Sequence, residues 1–339
     1  MRKSWHMGIG TVGLVAIMTA CSSDEEEADV ETGDGHETEE IAEVDEDEEA
    51  EDADEEVEQM TAPDDFAVIA HRGASGYAPE STEYAFDLAL EMDADYLEFD
   101  VQMTADGELV AFHDDEISRT TDGEGAIGDY TLEELKELDA GSWFNEEYPE
   151  YADEAYEGAE ILTVEEIIEL YGPDENYYIE TKSPEINQGM EEPLVEIVEE
   201  AGLVDNGTVL LQSFSPESLK MMHELNADIP LIQLLWWEVD EETGEIEEWL
   251  DVTPAPVDMT DEHFEEIGSY AAGIGAHLDY YDGTEVIDEA FVQQSLDHGF
   301  HFHVYTVNDQ DDMQRLVDWG VTGIFTDFPD QLHEVLENG

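Results

Sequence analysis

The sequence predicts an α/β protein built as a closed (β/α)8 barrel. Three observations carry this expectation. Short apolar runs of strand length recur from residue 65 to residue 339. Helical patterns lie between most of them. The body is the length of one such barrel with its outer helices.

The first element of the chain is a leader. Arg2 and Lys3 precede an apolar stretch from Met7 to Ala20. That stretch is too short and too interrupted by glycine to span a membrane well. Met18-Thr19-Ala20-Cys21 resembles a bacterial lipobox, although Leu is more usual where Met18 stands. In signals of that kind the cysteine is lipidated and becomes the first residue of the mature chain. Cys21 is the sole cysteine, so no intramolecular disulfide is available. Residues 1–21 are therefore expected to export the chain and leave it lipid-anchored on the outer side of the cell membrane.

Residues 22–64 form the second element, an acidic low-complexity linker. Between 22 and 60 there are 22 acids and no base. Such a segment is expected to be disordered and extended by its own charge.

The barrel strands then follow in order. Their expected positions are Phe66–Ala70, Tyr96–Val101, Leu109–His113, Tyr177–Lys182, Thr208–Ser213, Leu231–Leu235, Gly273–Ala276, Phe300–Thr306 and Gly323–Thr326. Helices are expected between them, for example over Thr82–Glu91 and Glu191–Ala201. Nine runs compete for eight places, so one is expected to lie outside the barrel. Residues 114–170 carry Gly, Tyr and acidic clusters and read as a small insertion.

The chain has 339 residues, with 94 acids, 8 bases and a formal net charge of −86. That charge excludes a nucleic-acid partner, which needs a basic face. It also excludes attachment to anionic lipid by charge alone, so any membrane contact is through the anchor. Nothing in the sequence points to a protein partner. Residues 61–339 keep 72 acids against six bases, Arg72, Arg119, Lys136, Lys182, Lys220 and Arg315. Self-repulsion of this size predicts a protein adapted to high salt, because salt shortens the Debye length to about 3 Å at 1 M. Where bases are this scarce, each is more informative than a surface lysine usually is.

Three runs end in polar residues that a buried strand would not otherwise choose. The first continues into His71-Arg72-Gly73. The second contains Glu98 and Asp100, which alternation places on one face. The third ends in Glu180-Thr181-Lys182, with Glu180 and Lys182 on one face. Catalytic residues of barrels come from the C-terminal ends of several strands. Three carboxylates meeting there repel one another unless a cation sits between them. Oxygen-only ligands indicate a hard ion, Ca²⁺ or Mg²⁺. Asp106-Gly107 is a hairpin turn signal. A hairpin centred there pairs residues whose numbers sum to 213, which sets His113 opposite Asp100 on the same face. A slip of one residue would turn His113 away.

These residues together resemble the glycerophosphodiester phosphodiesterase family. The resemblance rests on His71-Arg72-Gly73, Ala78-Pro79-Glu80-Ser81-Thr82, Glu98-Phe99-Asp100-Val101, Thr104-Ala105-Asp106-Gly107, His113-Asp114 and Arg119-Thr120-Thr121. Weaker echoes are Leu162–Glu166, Glu180–Lys182, Gln212-Ser213-Phe214, Tyr305–Asn308 and Thr326–Pro329. Ser81 stands where the family commonly has Asn, and Tyr305 where Trp is usual, on the alcohol side of the pocket.

The resemblance implies a TIM barrel that hydrolyses glycerophosphodiesters to glycerol 3-phosphate and an alcohol. It implies one divalent cation on Glu98, Asp100 and Glu180, with His71 and His113 as the acid/base pair. Related enzymes use a neighbouring glycerol hydroxyl as nucleophile, giving a cyclic phosphate that water opens. Arg72 and Lys182 are expected to meet the non-bridging phosphate oxygens. Glu80 is expected to support the metal shell or the start of the following helix. Phe214 and Tyr305 are pocket walls or core residues, and Trp236-Trp237 belongs to packing or a rim loop. Arg119 either reaches the site or anchors the insertion. Two other readings stay open: cleavage of lysophospholipids or another phosphodiester on the same barrel, and an extracytoplasmic cation- or solute-binding lipoprotein.

Overall fold

The computed structural model describes residues 66–240, 243–249 and 252–338. The leader, Cys21 and the acidic stretch 22–64 lie outside the described residues. The strands are β1 (Ala67–Ala70), β2 (Tyr96–Met103), β3 (Leu109–Ala111), β4 (Tyr177–Thr181), β5 (Val209–Ser213) and β6 (Leu231–Leu235). They continue as β7 (Trp237–Val239), β8 (Ile246–Glu248), β9 (Gly273–His277), β10 (His301–Tyr305) and β11 (Gly323–Thr326). Eight of them, β1, β2, β4, β5, β6, β9, β10 and β11, pair in parallel around a ring. The β1–β2 and β1–β11 pairings close it. The ninth expected run, β3, is the one outside the barrel and pairs antiparallel with β2.

Helices alternate with the barrel strands as α1 (Glu83–Glu91), α2 (Val164–Tyr171), α3 (Glu191–Glu200) and α4 (Pro216–Leu225). The set ends with α5 (Asp261–Gly268), α6 (Glu289–Asp297), α7 (Gln310–Trp319) and α8 (Pro329–Asn338). Their starts follow local chemistry. Thr163 and Glu166 form a reciprocal capping box at α2, Ser215 caps α4 ahead of Pro216, and Asp309 caps α7.

The two-residue period divides the core. Val68, Ala70, Leu97 and Phe99 point outward and pack under the helices. Ala67, Ile69, Tyr96, Tyr178, Leu210, Ile232 and Phe325 point inward and fill the barrel. The inward phase next reaches Glu98, Asp100, Glu180 and Gln212, so the strand ends turn polar above an apolar plug. Between β3 and α2 the chain makes an excursion with its own small core of Val110, Phe112, Ile117, Ile127, Leu135, Ala140 and Ile161. Helix α2 packs into the main core instead.

The hairpin register differs by one residue from the expected one. Val101 faces Ala111 and Met103 faces Leu109, so paired numbers sum to 212. The cause is the turn. Gly107 N–H donates to Thr104 O and takes φ of +91°, giving a three-residue loop with a left-handed glycine instead of a two-residue turn. Phe112, not His113, thus lies beside Asp100, its N–H donating to the Asp100 carbonyl. Strand pairing stops at Ala111, and the freed chain carries His113 to the site by another path.

Candidate active site

The barrel mouth gathers the polar strand ends. β2 supplies Glu98 and Asp100, β4 supplies Glu180, and pairing sets Asp100 beside Glu180. One oxygen of each carboxylate lies within 4.8 Å of the others. All three residues are at most 5% exposed. Two cations offset part of this charge. Lys182 Nζ donates to Asp100 Oδ1 at 3.1 Å and lies 3.0 Å from Glu180 Oε1. Arg72 Nε lies 3.1 Å from Asp100 Oδ2. Neither of the last two contacts has hydrogen-bond geometry, so Asp100 Oδ2 and Glu180 Oε1 are buried without a donor. Glu98 accepts from Arg72 N–H at 2.8 Å and from Gln212 Nε2 at 3.2 Å.

The electrostatics follow from this crowding. Burial, with repulsion from Asp100 and Glu180, pushes Glu98 well above the usual carboxylate range against the pull of Arg72. Burial and Asp100 push Glu180 up to about 7 despite Lys182. Asp100 is also buried, but Lys182, His113, Arg72 and His71 together hold it well below the usual range. A buried, all-oxygen cluster with two orphaned oxygens suits a hard divalent cation. The donor set therefore fits the ion expected from the sequence.

Arg72 sits in a strained turn. Its φ is +57°, and Gly73 follows at +81°, where a side chain would strike Ala85 at 2.6 Å. This turn aims the Arg72 backbone N–H at Glu98 and its guanidinium at Asp100 and Glu80. Glu80 Oε1 accepts from Arg72 Nη1 at 3.0 Å, and its two oxygens accept from Arg119 at 2.6 and 2.7 Å. Burial raises the Glu80 pKa, but Arg72 and Arg119 more than offset it and hold the group at about 2. Glu80 therefore anchors two guanidinium groups; Thr82 holds the helix N-cap position. Arg119 also pairs with Asp114, so it both anchors the excursion and reaches the site.

Each histidine is held by an aspartate. His71 Nδ1 donates to Asp327 Oδ1 at 2.7 Å. Asp327 also accepts from Ser75 Oγ at 3.0 Å and Asn308 Nδ2 at 2.6 Å. Its burial raises its pKa, yet His71 and Asn308 hold it below the usual range. His113 Nδ1 donates to Asp114 Oδ1 at 2.5 Å. Burial, then Arg72 and Lys182, lower the His113 pKa to about 4, partly countered by Asp100 and Asp114. In each ring the Nδ1 proton is committed, which leaves Nε2 for proton transfer. Both imidazoles act on the charge of Asp100.

The side walls are aromatic. Lys182 Nζ lies 5.8 Å from the Phe214 ring centre, and Phe214 meets Tyr305 edge-on at 6.0 Å. Trp237 is fully buried, while Trp236 stacks on His277. Sequence reasoning assigned no role to Asp114, Asp327, Asn308 or Gln212. The signal for all four was present only as motif residues without partners. Asp327 meets His71 because the last strand of the ring pairs with the first.

The comparisons with known proteins identify the family and the fold. Residues 71–331 match the model of the glycerophosphoryl diester phosphodiesterase family. A glycerophosphodiester phosphodiesterase of Bacillus subtilis (strain 168) is 44% identical over 280 residues, covering 81% of this chain and 88% of its own. One from Caldanaerobacter subterraneus subsp. tengcongensis is 34% identical over 275 residues, covering 80% and 98%. A solved Oleispira antarctica phosphodiesterase, in complex with the product sn-glycerol-3-phosphate, aligns with a TM-score of 0.63 and 28% identity. That alignment covers 80% of this chain and 96% of the other. The chain thus belongs to the glycerophosphoryl diester phosphodiesterase family and is an enzyme of that class.

Proposed function

We propose that the barrel mouth hydrolyses glycerophosphodiesters to glycerol 3-phosphate and an alcohol by two-histidine acid/base catalysis beside a divalent cation. The observation that carries this reading is the pair of aspartate-held imidazoles at a buried three-carboxylate cluster. The product reported for the Oleispira antarctica relative supports glycerol 3-phosphate as the product here.

Glu98, Asp100 and Glu180 would hold Ca²⁺ or Mg²⁺. When bound, such an ion offsets charge developing on the phosphoryl oxygens and lowers the pKa of the attacking group. The chain's own residues do the rest. Arg72 and Lys182 draw the phosphodiester anion into an otherwise repulsive acidic surface and orient its non-bridging oxygens. One imidazole Nε2 takes the proton of the attacking hydroxyl. The other gives a proton to the leaving oxygen. Asp327 and Asp114 hold the Nδ1 proton of their rings, so the base is the neutral ring with Nε2 free and the acid is the ring that enters as imidazolium, protonated on both nitrogens. Phe214 and Tyr305 border the organic part of the substrate.

We further place the enzyme outside the cytoplasm on a lipid at Cys21, with the acidic segment as a spacer, from the leader sequence alone. Release of glycerol 3-phosphate from glycerophosphocholine, measured with Ca²⁺, with Mg²⁺ and with chelator, tests the proposal. Metal-dependent release is expected. Undiminished release in chelator would overturn the cation's role, and no release from folded, metal-loaded protein would overturn the substrate.

A further inference from the structure

One unbroken chain of side-chain bonds joins His113 to Arg72 by way of the excursion. His113 Nδ1 donates to Asp114 Oδ1 at 2.5 Å. The other Asp114 oxygen accepts from Arg119 Nε. Arg119 Nη1 and Nη2 donate to the two Glu80 oxygens at 2.7 and 2.6 Å. Glu80 Oε1 also accepts from Arg72 Nη1 at 3.0 Å. Arg119 stands at the middle of this chain, with each guanidinium nitrogen bonded to one carboxylate or the other. None of these bonds goes to Glu98, Asp100 or Glu180, so Arg119 bears on the site only through its two partners.

The arrangement needs a guanidinium. Burial raises the pKa of both carboxylates, but Arg72 and Arg119 hold Glu80, and His113 and Arg119 hold Asp114, below the usual range. Two anions on one small group repel unless a cation lies between them. A planar fork bonds Glu80 end-on and Asp114 from the side, which fixes direction as well as charge. A lysine would bring the charge on a single nitrogen. The backbone under Arg119 is fixed in turn. Arg119 ends a short 3-10 turn over Ile117–Arg119. Ile117 is buried in the excursion's own core, and its N–H donates to the Gly125 carbonyl at 2.9 Å. Thr121 Oγ1 donates to the Ile117 carbonyl at 2.7 Å. The packing of the excursion thus reaches Arg72 and His113 through one residue.

We propose that Arg119 is the positioning residue that holds the phosphate-binding fork of Arg72 and the imidazole of His113 in one frame. The proposal rests on the phosphodiesterase reading above and adds a residue on which both halves of that chemistry depend. Without the fork, Asp114 is free to leave the His113 ring and Glu80 to leave Arg72, so proton transfer and phosphate binding fall together.

The test uses Arg119→Lys, which keeps the charge and loses the fork, in metal-loaded protein in molar salt. Its kcat on glycerophosphocholine is expected to fall by about tenfold or more, since a displacement of about 1 Å can cost 10²-fold. Its dissociation constant for glycerol 3-phosphate is expected to rise by about threefold or more. Adding Asp114→Ala to Arg119→Lys is expected to cost less than about threefold more in kcat, because both break the same chain. A smaller effect on either quantity, or losses that multiply in the double variant, overturns the proposal. A purely structural Arg119 would lower Tm and leave both quantities unchanged in the folded protein. Glu80→Gln removes the fork's end-on anchor without touching His113, and it serves if Arg119→Lys does not fold. Nitrogen NMR of isotope-labelled histidine at pH 8 reads the His113 ring with no turnover. The proton is expected on Nδ1 alone in wild type and on either nitrogen in both variants, and one tautomer throughout overturns the proposal. Mixed tautomers in the variants of a wild type that cleaves no glycerophosphodiester would reject the phosphodiesterase reading and leave the positioning role standing.

Discussion

Replacing Glu80 by Gln removes one charge from the junction of Arg72 and Arg119 while keeping the side chain's shape. The native carboxylate titrates at about 2 instead of the ordinary 4.5, because two guanidinium groups outweigh its burial. At 1.36 kcal/mol per pH unit this gap is worth about 3 kcal/mol of folding stability. The side chain is 13% exposed, so solvent screening reduces that figure little. The native pKa is depressed, so the stability is fully present above about pH 4.5 and is lost as pH falls toward 2. In a domain of this size about 3 kcal/mol lowers Tm by roughly 6–12 °C. The assay is thermal unfolding followed by circular dichroism in molar salt. The Glu80→Gln deficit is expected in full at pH 7, about halved at pH 3, and insensitive to salt because the pair is buried. A deficit below about 1 kcal/mol at pH 7, or an equal deficit at pH 7 and pH 3, would refute the reasoning.

Three further outcomes follow from the same structure. Ser81 is held at φ +57° with an unpartnered buried hydroxyl, beside a cavity of about 10 Å³. Asn tolerates that conformation better, so Ser81→Asn is expected to raise stability by about 0.5–1 kcal/mol, and a lowered Tm would contradict this. In cation-free protein, Glu180 titrates at about 7, so its ionisation costs stability as pH rises from about 4.5 to 7. Glu180→Gln is therefore expected to be more stable than wild type at pH 8 in chelator, by about 1–3 kcal/mol, and to gain less Tm from added Ca²⁺. Lower stability of the variant in chelator would contradict the repulsion. Finally, the 72 acids and six bases beyond residue 60 predict a Tm that rises steeply between 0.05 and 2 M NaCl, whereas a flat response would remove the high-salt reading.

The barrel was legible because its strands obey a two-residue period and its apolar runs end where function begins. Glu98 and Asp100 share the inward face for that reason alone, and Glu180 joins them through strand pairing. The hairpin register was not legible to the residue. An Asp-Gly pair serves both two-residue and three-residue loops, and only the left-handed Gly107 after a four-residue turn separates them. His113 reached the site although the pairing argument for it failed by one place. The partners of the histidines were hidden for a different reason. Asp327 is 256 residues from His71 in the chain and comes beside it only when the ring closes. The link from Arg119 to Glu80 joins residues 39 apart, from the loop before α1 to the start of the excursion after β3, and no single element's periodicity relates the two.

The central claim is that two aspartate-held imidazoles transfer protons at the acidic barrel mouth. Its most direct test is the rate of glycerol 3-phosphate release by His71→Ala and His113→Ala, each folded and metal-loaded in molar salt, beside wild type. The account predicts that each variant loses about 10²–10⁴-fold in kcat. A rate within threefold of wild type for either variant would contradict it.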